Sequence, residues 1–161
     1  MRTRLAWLLM LALVVGLVSA GSVSAADQSV ELMARLTGTQ EVPQADVDGS
    51  AKAIVDINVD AGTVCFDIKN FKDTGAPNRG HIHKAAAGAN GPIVVPFFEL
   101  VGQPADPRND QLEEGRISDC VTVADHVLLA DIVAHPDQYY VNVHNARFPG
   151  GSMRCQLEPR D

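Results

Sequence analysis

Ala51, Ala53, Val55, Ile57 and Val59 occupy every second position, with Lys52, Asp56 and Asn58 between them. Side chains two apart share a face of an extended strand, so this run can bury one face and wet the other only as β structure. The pattern recurs. Val30, Leu32, Ala34 and Leu36 alternate with Glu31, Met33 and Arg35, and Val64, Phe66 and Ile68 alternate with Cys65, Asp67 and Lys69. Asp60-Ala61-Gly62 between two such runs is a hairpin turn. Further strands are expected at Gly80–His83, Ile93–Phe98, Arg116–Val123, Tyr139–His144 and Ser152–Leu157. Pro96 places the apolar Ile93–Phe98 run at an edge or a bulge. Asp125 to Ala134 is the one helical segment, with Asp125 as N-cap, Val127, Leu128 and Ile132 at helical spacing, and Pro136 as the stop. Seven or eight short strands with a single short helix specify an antiparallel β-sandwich.

The chain opens with Arg2 and Arg4, an apolar run from Leu5 to Val18, and small residues ending in Val23-Ser24-Ala25-Ala26. This is the layout of an export signal. The apolar run is too short to span a bilayer, which takes about 20 residues. Residues 1–26 are therefore expected to be removed, leaving a single domain over 27–161 and no stable membrane span. Loss of the two arginines takes the net charge from −7 to −9. No basic footprint for nucleic acid remains.

Cys65, Cys120 and Cys155 are the only cysteines. An exported chain meets an oxidising compartment, so one disulfide and one free thiol are expected, with three pairings open. Cys65 and Cys120 lie on the polar phase of their strands, whereas Cys155 shares the apolar phase of Met153 and Leu157 and reads as a buried thiol. Parity favours Cys65–Cys120.

The chemistry concentrates in two short motifs, Gly80-His81-Ile82-His83 and Tyr140-Val141-Asn142-Val143-His144. On strands, His81 and His83 share one face, as do Asn142 and His144. If these strands are neighbours, three imidazoles converge. His81, His83 and His144 are then candidate ligands for copper or zinc, with Asn142 or nearby carbonyls as acceptors for the outer ring N–H groups. The competing reading is that the imidazoles make internal hydrogen bonds tying down the loops that follow. His126 and His135, nine apart on the helix, do not join this set. Glu41 and Arg154 are expected to pair and clip the first strand to the last. No nucleophile triad, close carboxylate pair or phosphate-cradling loop is present, so an enzymatic role is not expected unless a bound metal supplies redox chemistry. The acidic Asp46/Asp48 and Asp106/Asp110 loops do not follow the EF-hand pattern.

Several segments resemble the CHRD family, the domain named after chordin. They are Leu36-Thr37-Gly38-Thr39-Gln40-Glu41-Val42-Pro43, Gly80-His81-Ile82-His83 with Gly88-Ala89-Asn90-Gly91-Pro92, Leu129-Ala130-Asp131-Ile132, Tyr139 to His144, and Pro149-Gly150-Gly151-Ser152-Met153-Arg154-Cys155-Gln156-Leu157. They run in the family's order, and Cys155 departs from it, standing where the family usually has glycine. The resemblance implies an immunoglobulin-like β-sandwich, a secreted, periplasmic or envelope location, and a binding or structural role toward a protein or glycan, without a settled biochemical activity. The His-x-His strand also resembles the copper-binding strand of Cu,Zn superoxide dismutase, another sandwich, which by analogy suggests redox chemistry. Fold alone does not carry function.

Overall fold

The computed structural model describes residues 29–99, 111 and 114–160. The export segment and most of the Leu100–Gly115 loop lie outside these. The elements are β1 (Ser29–Thr37), a 3-10 turn (Gly38–Gln40), β2 (Ser50–Asn58), β3 (Thr63–Lys72), β4 (Pro77–Lys84), β5 (Ile93–Glu99), β6 (Arg116–Thr122), α1 (His126–Ala134), a second 3-10 turn (Pro136–Gln138), β7 (Tyr139–Asn145), β8 (Met153–Gln156) and the two-residue β9 (Glu158–Pro159). All strand pairs are antiparallel.

Hydrogen bonding links the strands in the order β5-β4-β7-β8-β1-β2-β3-β6, with β9 beside β1. The central joint is narrow, because β8 meets β1 in register only at Arg154 and Thr37. The sheet bends there into two four-stranded layers. At the far side the edge strands approach each other, and Phe66 of β3 stacks on Phe97 of β5 with ring centroids 4.6 Å apart. The all-β antiparallel fold expected from the alternating runs is thus present, as a sandwich whose layers form one nearly closed sheet.

One layer contributes Leu32, Ala34, Leu36, Ala53, Val55, Ile57, Val64, Phe66 and Ile68 to the core, and the other contributes Ile82, Val95, Phe97, Val141, Val143 and Met153. These are the apolar phases read from the alternation, and their burial is the main driving force for the fold. Gly80 is required on the histidine strand, since a Cβ there would lie 2.4 Å from Cε1 of Phe98. Pro96 sits on edge strand β5 opposite His81, beside a register shift, so both of its predicted settings occur together.

Cys65 and Cys120 face each other in register on β3 and β6 and form a disulfide. Cys155 is free and half-buried, packed against the core rather than enclosed by it. Asp125 caps α1 by accepting from the Leu128 N–H at 2.9 Å. The buried side chains of α1 are Leu129 and Ile132, while Val127 is 81% exposed. Of the expected face, Ile132 is buried and Leu128 packs against the core half-buried; Val127 alone points to solvent, and Leu129 takes the second buried position. Among the described residues, no helix is long and apolar enough to cross a membrane.

Candidate metal centre

β4 and β7 are neighbours, and their register sets His81 opposite Asn142, His83 opposite Tyr140 and Arg79 opposite His144. On β8, Arg154 stands opposite Asn142 and Gln156 opposite Tyr140. The outer face of this layer therefore presents a block of polar side chains, while Ile82, Val141 and Val143 point to the core. Every residue of β7 is buried, on both faces. The outer face is covered by three connections, residues 38–49, 85–92 and 146–152, each held by this polar block.

The bonds are specific. His83 Nδ1 lies 2.9 Å from the Gly91 carbonyl, and His144 Nδ1 lies 3.0 Å from the Pro149 carbonyl. Arg154 donates from Nε to the Gln40 carbonyl at 2.7 Å, and from Nη1 to the Ala89 carbonyl at 3.2 Å and Asn90 Oδ1 at 2.7 Å. Asn90 in turn donates to the Val42 carbonyl at 2.8 Å, joining two of the covering loops. The Gly91 N–H reaches the Tyr140 hydroxyl at 3.3 Å. Tyr140 takes His83 from β4 in a stack (centroids 4.8 Å apart) and the Arg154 guanidinium from β8 at 4.8 Å. Tyr140 is consequently buried like Tyr139, although strand parity points the two to opposite faces and on that ground alone leaves one of them partly exposed. The covering loop is invisible to strand parity.

A carbonyl oxygen only accepts, so His83 and His144 each carry their proton on Nδ1. That leaves both Nε2 lone pairs bare. Nε2 of His83 and of His144 and Nδ1 of His81 are buried without a hydrogen-bond partner. One ring nitrogen from each histidine lies within 4.8 Å of the others. The rings meet edge-on, with His81 5.1 Å from His144 and 5.6 Å from His83, centroid to centroid. Burial depresses all three basicities. His81 falls to about 4, with burial the largest cause, followed by His144, His83 and Arg79. His83 is lowered by burial, against the Gly91 hydrogen bond and with Arg154, and His144 by burial, against the Pro149 hydrogen bond and with Arg79. The cluster is thus three neutral imidazoles gathered at one place, the protonation state a transition metal needs.

The two readings of the histidines are not exclusive, since each imidazole has two nitrogens. In His83 and His144 one nitrogen ties down a loop and the other stays free, which is the outer-shell arrangement that fixes metal-ligating histidines. The acceptors are the Gly91 and Pro149 carbonyls. Asn142, the side chain expected to accept from a ring, instead donates Nδ2 to Glu41 Oε1 at 2.9 Å, leaving its Oδ1 buried without a partner. Arg79 is a further member of the site: it precedes the Gly80–His83 run expected as a strand, yet β4 extends back to Pro77, and Arg79 shares the i, i+2, i+4 parity of His81 and His83. His126 and His135 lie on or just beyond α1, where His135 Nδ1 bonds Asp131 Oδ1 at 2.9 Å.

Glu41 and Arg154 approach to 3.8 Å between Oε2 and Nε, and both are buried. Burial raises the Glu41 carboxyl to about 7, outweighing the nearby Arg154 charge and the Asn142 hydrogen bond. Arg154 is a poor counter-ion because its own hydrogen bonds go to the Gln40, Ala89 and Asn90 oxygens.

These residues sit in segments that the comparison with protein families also picks out. The family model for the CHRD domain matches residues 32–157. The chain belongs to the CHRD family. Comparison with curated proteins and with solved structures finds no match. The CHRD match takes in most of β1, all of β2 to β8 and every residue of the polar block, including Glu41, His81, His83, Asn142, His144 and Arg154. In this CHRD domain the disulfide fits an oxidising compartment.

Proposed function

We propose that this protein is an exported CHRD module, acting in the cell envelope or outside the cell, that binds a copper or zinc ion through His81, His83 and His144. One observation carries the reading: a ring nitrogen from each of the three histidines lies within 4.8 Å of the others, and each ring has a buried nitrogen without a partner. Leaving such atoms unpaired is costly, on the order of 1–3 kcal/mol each, and a metal ion repays that cost. Imidazole suits both copper and zinc, and three protein ligands leave a position open. An ion there would be held by one nitrogen from each of His81, His83 and His144, with metal–nitrogen bonds of about 2.0–2.1 Å. The role is one of binding rather than catalysis. Redox turnover would arise only through copper.

Elemental analysis of the purified protein and Cu(II) and Zn(II) calorimetry test this. The expected result is one tightly bound ion, lost in His83→Ala and in the His81→Ala/His83→Ala/His144→Ala variant, with His83→Ala still folded. Absence of binding in the wild type, with the variants merely less stable, would make the histidines loop anchors. The search would then turn to a protein or glycan partner.

A further inference from the structure

The three-histidine site has no negative charge of its own. Its ligands are histidines, and two guanidiniums stand beside it: Arg79 in register with His144, and Arg154 over the Tyr140 ring that stacks on His83. A divalent ion bound there would sit in a positive setting with one coordination position unfilled, and the group best suited to that position is an anion. Arg79 is placed to hold it. It stands on β4 two residues before His81 and in register with His144. Its Nη2 donates to the Pro149 carbonyl at 3.2 Å, the same oxygen that accepts from His144 Nδ1 at 3.0 Å. One carbonyl therefore fixes both the guanidinium and a ligand ring. Arg79 Nε is buried and makes no hydrogen bond, its nearest carboxylate being Glu99 at 4.0 Å. With 30% of its side chain exposed, Arg79 also joins the site to solvent.

Building on the metal reading, we propose that the loaded site contains a subsite for a small monovalent anion, bound at the open metal position and hydrogen-bonded by Arg79. The anion replaces a water on the ion, so no bond within the protein is made or broken. The residue that opposes it is Glu99, which competes for the same guanidinium from β5.

Azide titration of the Cu(II)-loaded protein, followed by the azide-to-copper charge-transfer band, tests the subsite. The expected result is one azide per copper. Arg79→Gln, loaded with copper and with its copper content measured, should bind azide roughly tenfold or more weakly per copper, the loss of a charge-assisted hydrogen bond. Arg79→Lys should retain part of the affinity. Glu99→Gln should tighten azide by roughly two- to fivefold, the size of a removed exposed ion pair. That change has the opposite sign and lies on an exposed side chain, so a folding defect cannot mimic it. Copper binding with no azide band, or with an affinity indifferent to Arg79→Gln and Glu99→Gln, overturns the subsite and leaves the metal reading intact. Failure to bind copper or zinc at all overturns the metal reading and the subsite together.

Discussion

Glu41→Gln isolates an electrostatic cost that the wild-type pH profile conceals. Glu41 keeps its proton up to about pH 7 in the folded protein and loses it near 4.5 in a solvated chain. Between those values the folded state holds more protons than the unfolded state, so stability falls as pH rises. The contribution is fully present below 4.5 and gone above about 7. The difference of about 2.5 units corresponds to roughly 3 kcal/mol. His81 works in the opposite direction, because its basicity drops from 6.5 to about 4 on folding. The unfolded state holds more protons there, and stability is fully present above 6.5 and lost toward pH 4. Over most of the interval the two slopes cancel, and His83 and His144, also lowered, tip the balance toward rising stability. Comparing variant with wild type at each pH cancels the histidines. The stability of Glu41→Gln minus that of wild type should therefore rise by about 3 kcal/mol from pH 4.5 to pH 8, read from urea unfolding of metal-free protein. A flat difference would mean that burial does not raise the carboxyl. A falling difference would mean that the ionised Glu41–Arg154 pair dominates, despite their 3.8 Å separation.

Three further outcomes can be checked. Cys65→Ala/Cys120→Ala opens a cross-link between residues 55 apart and should cost about 4 kcal/mol on the chain-entropy scale, measured by urea unfolding, with a loss below about 1 kcal/mol contradicting it. Arg154→Lys should lose nearly as much stability as Arg154→Met, about 3–5 kcal/mol, because a single ammonium cannot span the Gln40, Ala89 and Asn90 acceptors; wild-type stability in the lysine variant would refute this. Zinc at a hundred times its Kd should add about 2.7 kcal/mol, some 10 °C in Tm, at pH 7, and this gain should persist at pH 6 and disappear near pH 4, where His81 takes up its proton.

The sandwich was legible because its core strands, such as Ala51 to Val59, bury one face and keep a strict period of two. The disulfide and the shared faces of His81/His83 and Asn142/His144 followed from the same parity. What the sequence concealed was the covering of β7. Strand parity tells which side chains share a face but not whether water or a loop lies over it, so it leaves one of Tyr139 and Tyr140 partly exposed and offers Asn142 as a ring acceptor. The loops that cover them are read only through tertiary hydrogen bonds between residues far apart, such as Asn142 to Glu41 and Asn90 to Val42. On α1 the same limit misplaced one position: Ile132 and Leu128 pack inward as their spacing says, but Val127 is exposed and Leu129 is buried instead.

The two layers differ in how they treat their outer faces, and this difference places the site. On β2 and β3 the outward positions carry Lys52, Asp56, Asp67 and Lys69 and are only half-buried, so that face still reaches water, the usual condition of an antiparallel sheet. On β4 and β7 the outward positions are histidine, tyrosine and asparagine, enclosed by three loops anchored at the seam where Arg154 meets Thr37. Arg154 satisfies the backbone of two of those loops with one guanidinium, and Gly151 lets the third approach, since a Cβ there would lie 2.9 Å from the Glu41 carboxylate. If enclosure alone were the aim, apolar side chains would serve at lower cost, because every buried polar atom needs a partner. Here several are left without one, and they cluster: the three ring nitrogens, Asn142 Oδ1, Arg79 Nε and Arg154 Nη2 all lie on this one face. A fold that spends three loops to dry a polar surface, and then leaves its lone pairs converging and unpaired, is organised around a group those lone pairs can hold.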